Sequence, residues 1–148
     1  MLTYAFEGEK IMTKIYKYQK VQDAFTTHCL VEPDYNLLET EDRITELCTI
    51  DGITYVSVPD SITLPEQPEQ ITVEEVELTD ELKESIKSES PHVQLINERV
   101  VAKIREIYSL NDEIKMIRLS PSEESTAYND YVEECRAWGR GEKEKLGL

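Results

Sequence analysis

Val93, Ile96, Val100, Ile104 and Ile107 recur at three- and four-residue steps through SPHVQLINERVVAKIREIYSLNDEIKMIRL, residues 90–119. That spacing lays apolar side chains along one face of a helix. Glu98, Arg99, Lys103, Arg105 and Glu106 fall between them and make the opposite face wet. Ser90 is the expected N-cap, its hydroxyl accepting from the first free backbone N–H groups, and Pro91 brings a preset φ to a position that needs no donor. After a break at Ser109 the stripe resumes as Leu110, Ile114 and Ile117, predicting a second helix with Asp112 and Glu113 as its N-terminal charges. The rest of the chain is expected to pack against this pair or hang from it.

A two-residue period governs the earlier part. Ile15, Tyr16, Tyr18 and Val21 predict a strand at about 13–18, and a second short strand is expected near 28–32. Glu32-Pro33-Asp34-Tyr35-Asn36 is turn chemistry, whereas Leu37–Arg43 reads as neither helix nor strand. The clearest β signal is ITELCTI-Asp51-Gly52-ITYVSVP, where Asp-Gly supplies the positive φ values of a type I′ turn. A two-residue turn sets Ile50 opposite Ile53, Cys48 opposite Tyr55 and Leu47 opposite Val56. Both faces of this hairpin are partly apolar, and an isolated hairpin is marginal, so it needs the N-terminal strands, the helices or a partner chain.

Pro59, Pro65 and Pro68 punctuate PDSITLPEQPEQITVEEVEL, an extended polar spacer by composition. Its end carries Ile71, Val73, Val76 and Leu78, either an edge strand or an arm that wraps a neighbour. Thr79 then caps a short helix with Leu82 and Ile86 on one face. Ser120-Pro121-Ser122-Glu123 reads as a capping box with Pro at the first helical position, opening a last helix through Ala127, Tyr131, Cys135 and Trp138, with Tyr128 and Val132 beside them. Gly139 and Gly141 weaken its end, and GEKEKLGL frays unless Leu146 and Leu148 dock. The pattern predicts an α+β protein: a β module over 1–58 built on a hairpin, an extended acidic linker or arm over 59–78, and a bundle of three to four helices over 79–148 that folds alone.

Charge sharpens this division. The 148 residues carry 31 acids against 16 bases, a net −15, with 39 % hydrophobic and 32 % charged residues. By segment the net charge is −5 over 1–58, −8 over 59–89 and −2 over 90–148. Such a balance opposes phosphate binding, which needs clustered Lys and Arg, and direct nucleic-acid contact is not expected. A mimic of nucleic acid would welcome the acid. No stretch approaches the ~18–20 apolar residues of a membrane span, and MLTYAFEGEKIM lacks the basic and apolar regions of a signal peptide. Codons for Glu7–Ile11 can form a ribosome-binding purine run ahead of Met12, so residues 1–11 are either leader from an upstream start or an extra strand or arm.

Little in the chain assembles into catalysis. Cys29, Cys48 and Cys135 are odd in number and lack a CxxC pair, which points to reduced thiols in a cytosolic setting. With only His28 and His92 to join them, zinc is not expected. Adjacent acids such as Glu74-Glu75, Glu123-Glu124 and Glu133-Glu134 do not converge on one site from a helix. Asp51-Gly52 lacks the spaced oxygen ligands of a calcium loop, no Gly-rich phosphate loop is present, and a Cys135–His92 dyad has no third group to support it. Neither enzyme activity nor a cofactor is expected. The candidates that remain are for partner binding: Ile71, Val73, Val76 and Leu78 on the arm, and Tyr128, Tyr131 and Trp138 on the last helix, where aromatics serve either a hot spot or the core. The stripe over 93–107 also offers helix pairing with another copy.

IREIYSLNDEIKMIRL followed by AYNDYVEECRAWGRGEKEKLGL resembles the ends of small proteins encoded among the tail genes of Mu-like tailed phages and prophages. The resemblance covers about the last 60 residues, with the hairpin and LPEQPEQI matching more loosely. It implies a non-enzymatic structural or tail-assembly protein, working by contact with other tail or assembly proteins or with its own copies, in the host cytoplasm during assembly or in the virion. It carries over no active site. The rival expectation is an acidic inhibitor or accessory protein that occupies the basic groove of a host nuclease or defence protein.

Overall fold

A computed structural model of the chain describes residues 13–30, 43–66 and 69–148. The expectations for residues 1–11, for the turn at 32–36 and for Leu37–Asp42 lie outside the described residues. The alternating start forms β1 (Thr13–Tyr18), followed by a small two-stranded ribbon of β2 (Val21–Gln22) and β3 (Thr27–His28). The Asp-Gly hairpin is β4 (Thr45–Ile50) and β5 (Ile53–Pro59), and β6 (Glu74–Glu75) lies in the acidic segment. Four helices follow among the described residues: α1 (Asp80–Glu89), α2 (Pro91–Ile107), α3 (Leu110–Arg118) and α4 (Glu123–Lys145). None of them is long and apolar enough to cross a membrane. The architecture is α+β.

The hairpin turns with φ of 51° at Asp51 and 80° at Gly52, the pair of positive values that a type I′ turn requires. Ile50 faces Ile53 and Cys48 faces Tyr55 as their spacing predicts, but Val56 faces Glu46 and not Leu47. A bulge between Glu46 and Cys48 absorbs one residue, so that Leu47 and Cys48 both reach the interior. β5 then pairs antiparallel with β1, and β1 with β6, giving the order β4-β5-β1-β6. The ladder runs past β6, since Val76 N–H donates to the Ile15 carbonyl at 2.8 Å.

Both faces of the sheet are covered. On one, Tyr18, Val56 and Val58 pack with Leu30 and Ile71 beneath the ribbon and the Pro-rich segment. Tyr18 hydroxyl accepts from Leu30 N–H at 3.0 Å, and burial pushes its pKa up to about 12. On the other, Ile15, Leu47 and Cys48 share a core with Ile86, Val93 and Ile96 of α1 and α2 and with Leu146 and Leu148 beyond α4. Val76, Leu78 and Leu82 pack against the same core.

In the structure the segment 59–78 and the helices both contact the sheet. The acidic segment is sewn to β1 as an edge strand, and the helices share one cluster with Ile15, Leu47 and Cys48 of the sheet while keeping a second, around Ile104, Val132 and Cys135, among themselves. The C-terminal tail makes the same point. Gly147 N–H donates to the Glu144 carbonyl at 2.9 Å and Leu148 N–H to the Lys143 carbonyl at 3.0 Å, with Gly147 at φ +81°. This is a Schellman end to α4, and it turns Leu146 and Leu148 onto Ile15. Thr13 hydroxyl donates to the Lys145 carbonyl at 3.1 Å beside them. Each buried leucine contributes roughly 1.5–3 kcal/mol of transfer free energy.

The helix starts also depart in detail from the sequence reading. Thr79 caps α1, its hydroxyl accepting from Leu82 N–H at 3.2 Å. Ser90 makes no side-chain cap bond. It is wholly buried at the pivot between α1 and α2, its N–H closing α1 on the Ile86 carbonyl and its carbonyl opening α2 with Gln94 N–H. The box at α4 pairs Ser122 with Ser125, two residues later than the Ser120–Glu123 pairing, because Pro121 precedes the helix and does not begin it.

Candidate functional site

The arm residues proposed for partner binding face the chain's own interior. Ile71 is 5 % exposed and Val73 packs on the same cluster beneath the sheet, while Val76 and Leu78 are half-buried against the helix-side core. Pairing of β6 with β1 fixes this, since it pulls the whole segment onto the sheet edge. Only Glu74, Glu75 and Glu77 of that stretch remain turned to solvent along with Thr72.

The aromatic residues of α4 are likewise occupied. Tyr128 and Tyr131 pack with Val100 and Tyr108 around Ile104, Val132 and Cys135. Tyr108 meets Tyr128 edge-on at 4.9 Å between ring centroids, a favoured aromatic geometry. Tyr131 hydroxyl donates to the Lys103 carbonyl at 2.7 Å, and Lys103 Nζ sits 4.5 Å from the Trp138 ring centroid. These groups bind α4 to α2.

What the sequence misplaces is α3. Leu110, Ile114 and Ile117 lie on one face of it, and that face points outward: they are 61 %, 45 % and 69 % exposed. Ile107, at the end of α2 just before it, is 58 % exposed, although its spacing put it on the core stripe. A polar anchor borders this face, one turn from both Leu110 and Ile117. Glu113 accepts from the Tyr128 hydroxyl at 2.8 Å and pairs with Arg105 Nη1 at 3.0 Å, tying α3 to both α4 and α2. The Tyr128 hydrogen bond, with Arg105 behind it, holds the Glu113 carboxyl below its ordinary pKa, while partial burial followed by the Glu113 contact raises that of Tyr128. Ser109 and Asp112 fix where the helix starts through a reciprocal box, Asp112 N–H to Ser109 Oγ at 3.1 Å and Ser109 N–H to Asp112 Oδ2 at 2.9 Å. With its start set by that box and its polar flank seated, α3 has no freedom to roll its isoleucines inward.

Periodicity alone does not distinguish an inward stripe from an outward one. The available signal is length: a helix of nine residues offers one narrow contact, and Glu113 with Tyr128 takes it.

Cys135 and His92 stay apart. Cys135 packs beside Ile104, whereas His92 lies twelve residues earlier on α2, about 18 Å along the axis at 1.5 Å per residue. Burial, with Glu89 and Glu46 nearby, pushes the Cys48 thiol up to about 11, so it stays protonated at neutral pH. Among the described residues no group of three or more His, Cys, Asp or Glu converges as a metal site. An open groove of about 560 Å³ along the start of α4 is lined by Pro121, Ser122, Glu123, Thr126, Ala127 and Asp130, acids without a base. Compared with protein families, with curated proteins and with solved structures, the chain finds no match.

Proposed function

We propose that this chain is a non-enzymatic structural or assembly protein that acts by protein–protein contact, with the outward face of α3 as its docking surface. The observation that carries the reading is the row Leu110, Ile114 and Ile117, held to solvent by the Glu113–Tyr128–Arg105 anchor. Contiguous apolar surface on a water-facing helix mostly marks an interaction site, and keeping it outward takes specific polar contacts that a merely collapsed helix would lack. The setting rests on the resemblance of IREIYSLNDEIKMIRL and AYNDYVEECRAWGRGEKEKLGL to tail-region proteins of Mu-like phages, which implies partners among tail or assembly proteins.

A second reading has its own observation. Glu74, Glu75 and Glu77 are exposed along the sheet edge, in the segment of net charge −8, and would suit a basic groove on a host nuclease or defence protein. Salt separates the two, because apolar burial is not screened while contacts between exposed charges are. The test is capture from phage-producing cells at about 0.1 M and about 1 M salt, where the Debye length falls from ~10 to ~3 Å. A tail protein retained at high salt and lost with Ile117→Asp supports docking through α3. A nuclease or defence protein released by salt, and lost with the Glu74/Glu75/Glu77→Gln triple variant, replaces that reading with charge mimicry.

A further inference from the structure

The charge around α3 says what covers it. Over residues 91–118 four carboxylates (Glu98, Glu106, Asp112, Glu113) stand against five basic groups (Arg99, Lys103, Arg105, Lys115, Arg118), a net +1, in a chain whose total is −15. Everything outside this helical pair therefore sums to −16. Two copies of so acidic a chain repel through almost any surface. The repulsion is least where the nearly neutral α2–α3 segment, and not the acidic remainder, leads the approach. A strongly charged partner would find no complementary charge there, whereas a second copy finds the same uncharged row.

We propose that α3 docks on α3 of a second copy, antiparallel across a two-fold axis beside Ile114. The proposal rests on the reading of α3 as a docking surface and names its occupant. A two-fold contact is self-complementary, and here it brings Leu110 of each copy opposite Ile117 of the other, with Ile114 meeting Ile114 near the axis. Polarity selects the direction. Asp112 and Glu113 occupy the first turn of α3, and Lys115 and Arg118 the last. An antiparallel pair opposes the two helix dipoles, while a parallel pair aligns them. Leu110, Ile114 and Ile117 with Ile107 present on the order of 450 Å² per copy, so that with a polar rim the pair buries about 1,000 Å² in total, the lower bound of a specific interface.

Sedimentation equilibrium of the full chain, up to about 200 µM, tests this directly. The expected result is a monomer–dimer equilibrium that persists at about 1 M salt. Ile114→Asp and Ile117→Asp should each raise the dissociation constant at least tenfold with the circular dichroism spectrum unchanged. Ile114→Gln serves if the aspartate disturbs the fold. Phe25→Ser, at a fully exposed aromatic on the β2–β3 ribbon, should leave the dimer intact. A wild type that stays monomeric at the highest concentration overturns the proposal, as does a dimer that survives Ile114→Asp or dissociates with Phe25→Ser. If the wild type is monomeric yet a tail partner is still lost with Ile117→Asp, the second copy falls and the docking surface stands.

Discussion

Gly139 of α4 lies directly against Val100 of α2: a Cβ built on the glycine would come within 2.6 Å of Val100 Cγ2, with Ile96 Cγ2 next at 3.8 Å. The two longest helices touch here with no room for a methyl group. Gly141, two residues on, has nothing within 4 Å. Gly139→Ala should therefore destabilise the protein by about 1–3 kcal/mol, the overpacking cost outweighing any gain in helix propensity. Gly141→Ala should stabilise it by about 0.5–1 kcal/mol. Urea unfolding of the two variants beside wild type checks both signs.

Ile104 and Ile117 have similar side chains and opposite surroundings, 7 % against 69 % exposed. Ile104→Ala should cost about 2–5 kcal/mol, whereas Ile117→Ala should change monomer stability by less than about 0.5 kcal/mol. Equal losses at the two positions, measured at a dilution where only monomer is present, would show that α3 packs inward.

The shared core predicts how the chain comes apart. Leu146→Ala should lower the melting temperature read from the helices and from the sheet together, because Leu146 belongs to the cluster that joins them. A fragment of residues 79–148 should melt without cooperativity, since it lacks Ile15, Leu47 and Cys48. Circular dichroism of the fragment, beside tyrosine fluorescence of the full chain, measures this.

Glu113 supplies a pH dependence whose sign is fixed. Its folded pKa lies below the ordinary 4.5, so the stability it contributes is present above that value and is lost as pH falls through the folded pKa. Glu113→Gln should flatten the decline in stability below about pH 4.5 and leave the profile above pH 6 parallel to wild type at a lower level. Because the carboxylate tethers α3, the variant should also raise amide exchange in residues 110–118. A profile that superimposes on wild type at all pH values would remove Glu113 as the anchor.

Local chemistry was the legible part of this fold. Asp51-Gly52 announces its turn because positive φ at both residues excludes most alternatives, and the stripe Val93–Ile96–Val100–Ile104 reads correctly because it is long enough to have one face. The signals that failed were those decided at a distance. The spacing sets Leu47 opposite Val56, because a bulge leaves no mark in hydrophobic pattern. Ile71, Val73, Val76 and Leu78 look like an arm reaching for a partner because three prolines precede them; a pairing of only Glu74-Glu75 with β1 turns them inward. Gly147 carries a clear C-terminal signal, with glycine just past a Lys-rich last turn, but the earlier Gly139 and Gly141 masked it. The candidate surface on α3 was visible as a row of residues and invisible as a surface, since its direction depends on one contact between Glu113 and Tyr128.

The hydrogen bond from Thr13 to the Lys145 carbonyl spans 132 positions of the chain. Closing a loop of that length costs on the order of 4 kcal/mol of chain entropy, repaid only when Leu146 and Leu148 reach Ile15. On a ribosome β1 is made before the helices and before Leu146 and Leu148, so its flank at Ile15 waits for them. Nascent chains stalled before residue 146 should be readily cut by protease, and those released after it resistant. Leu146 and Leu148 thus act as a latch, and the fold becomes committed only once they have joined the sheet.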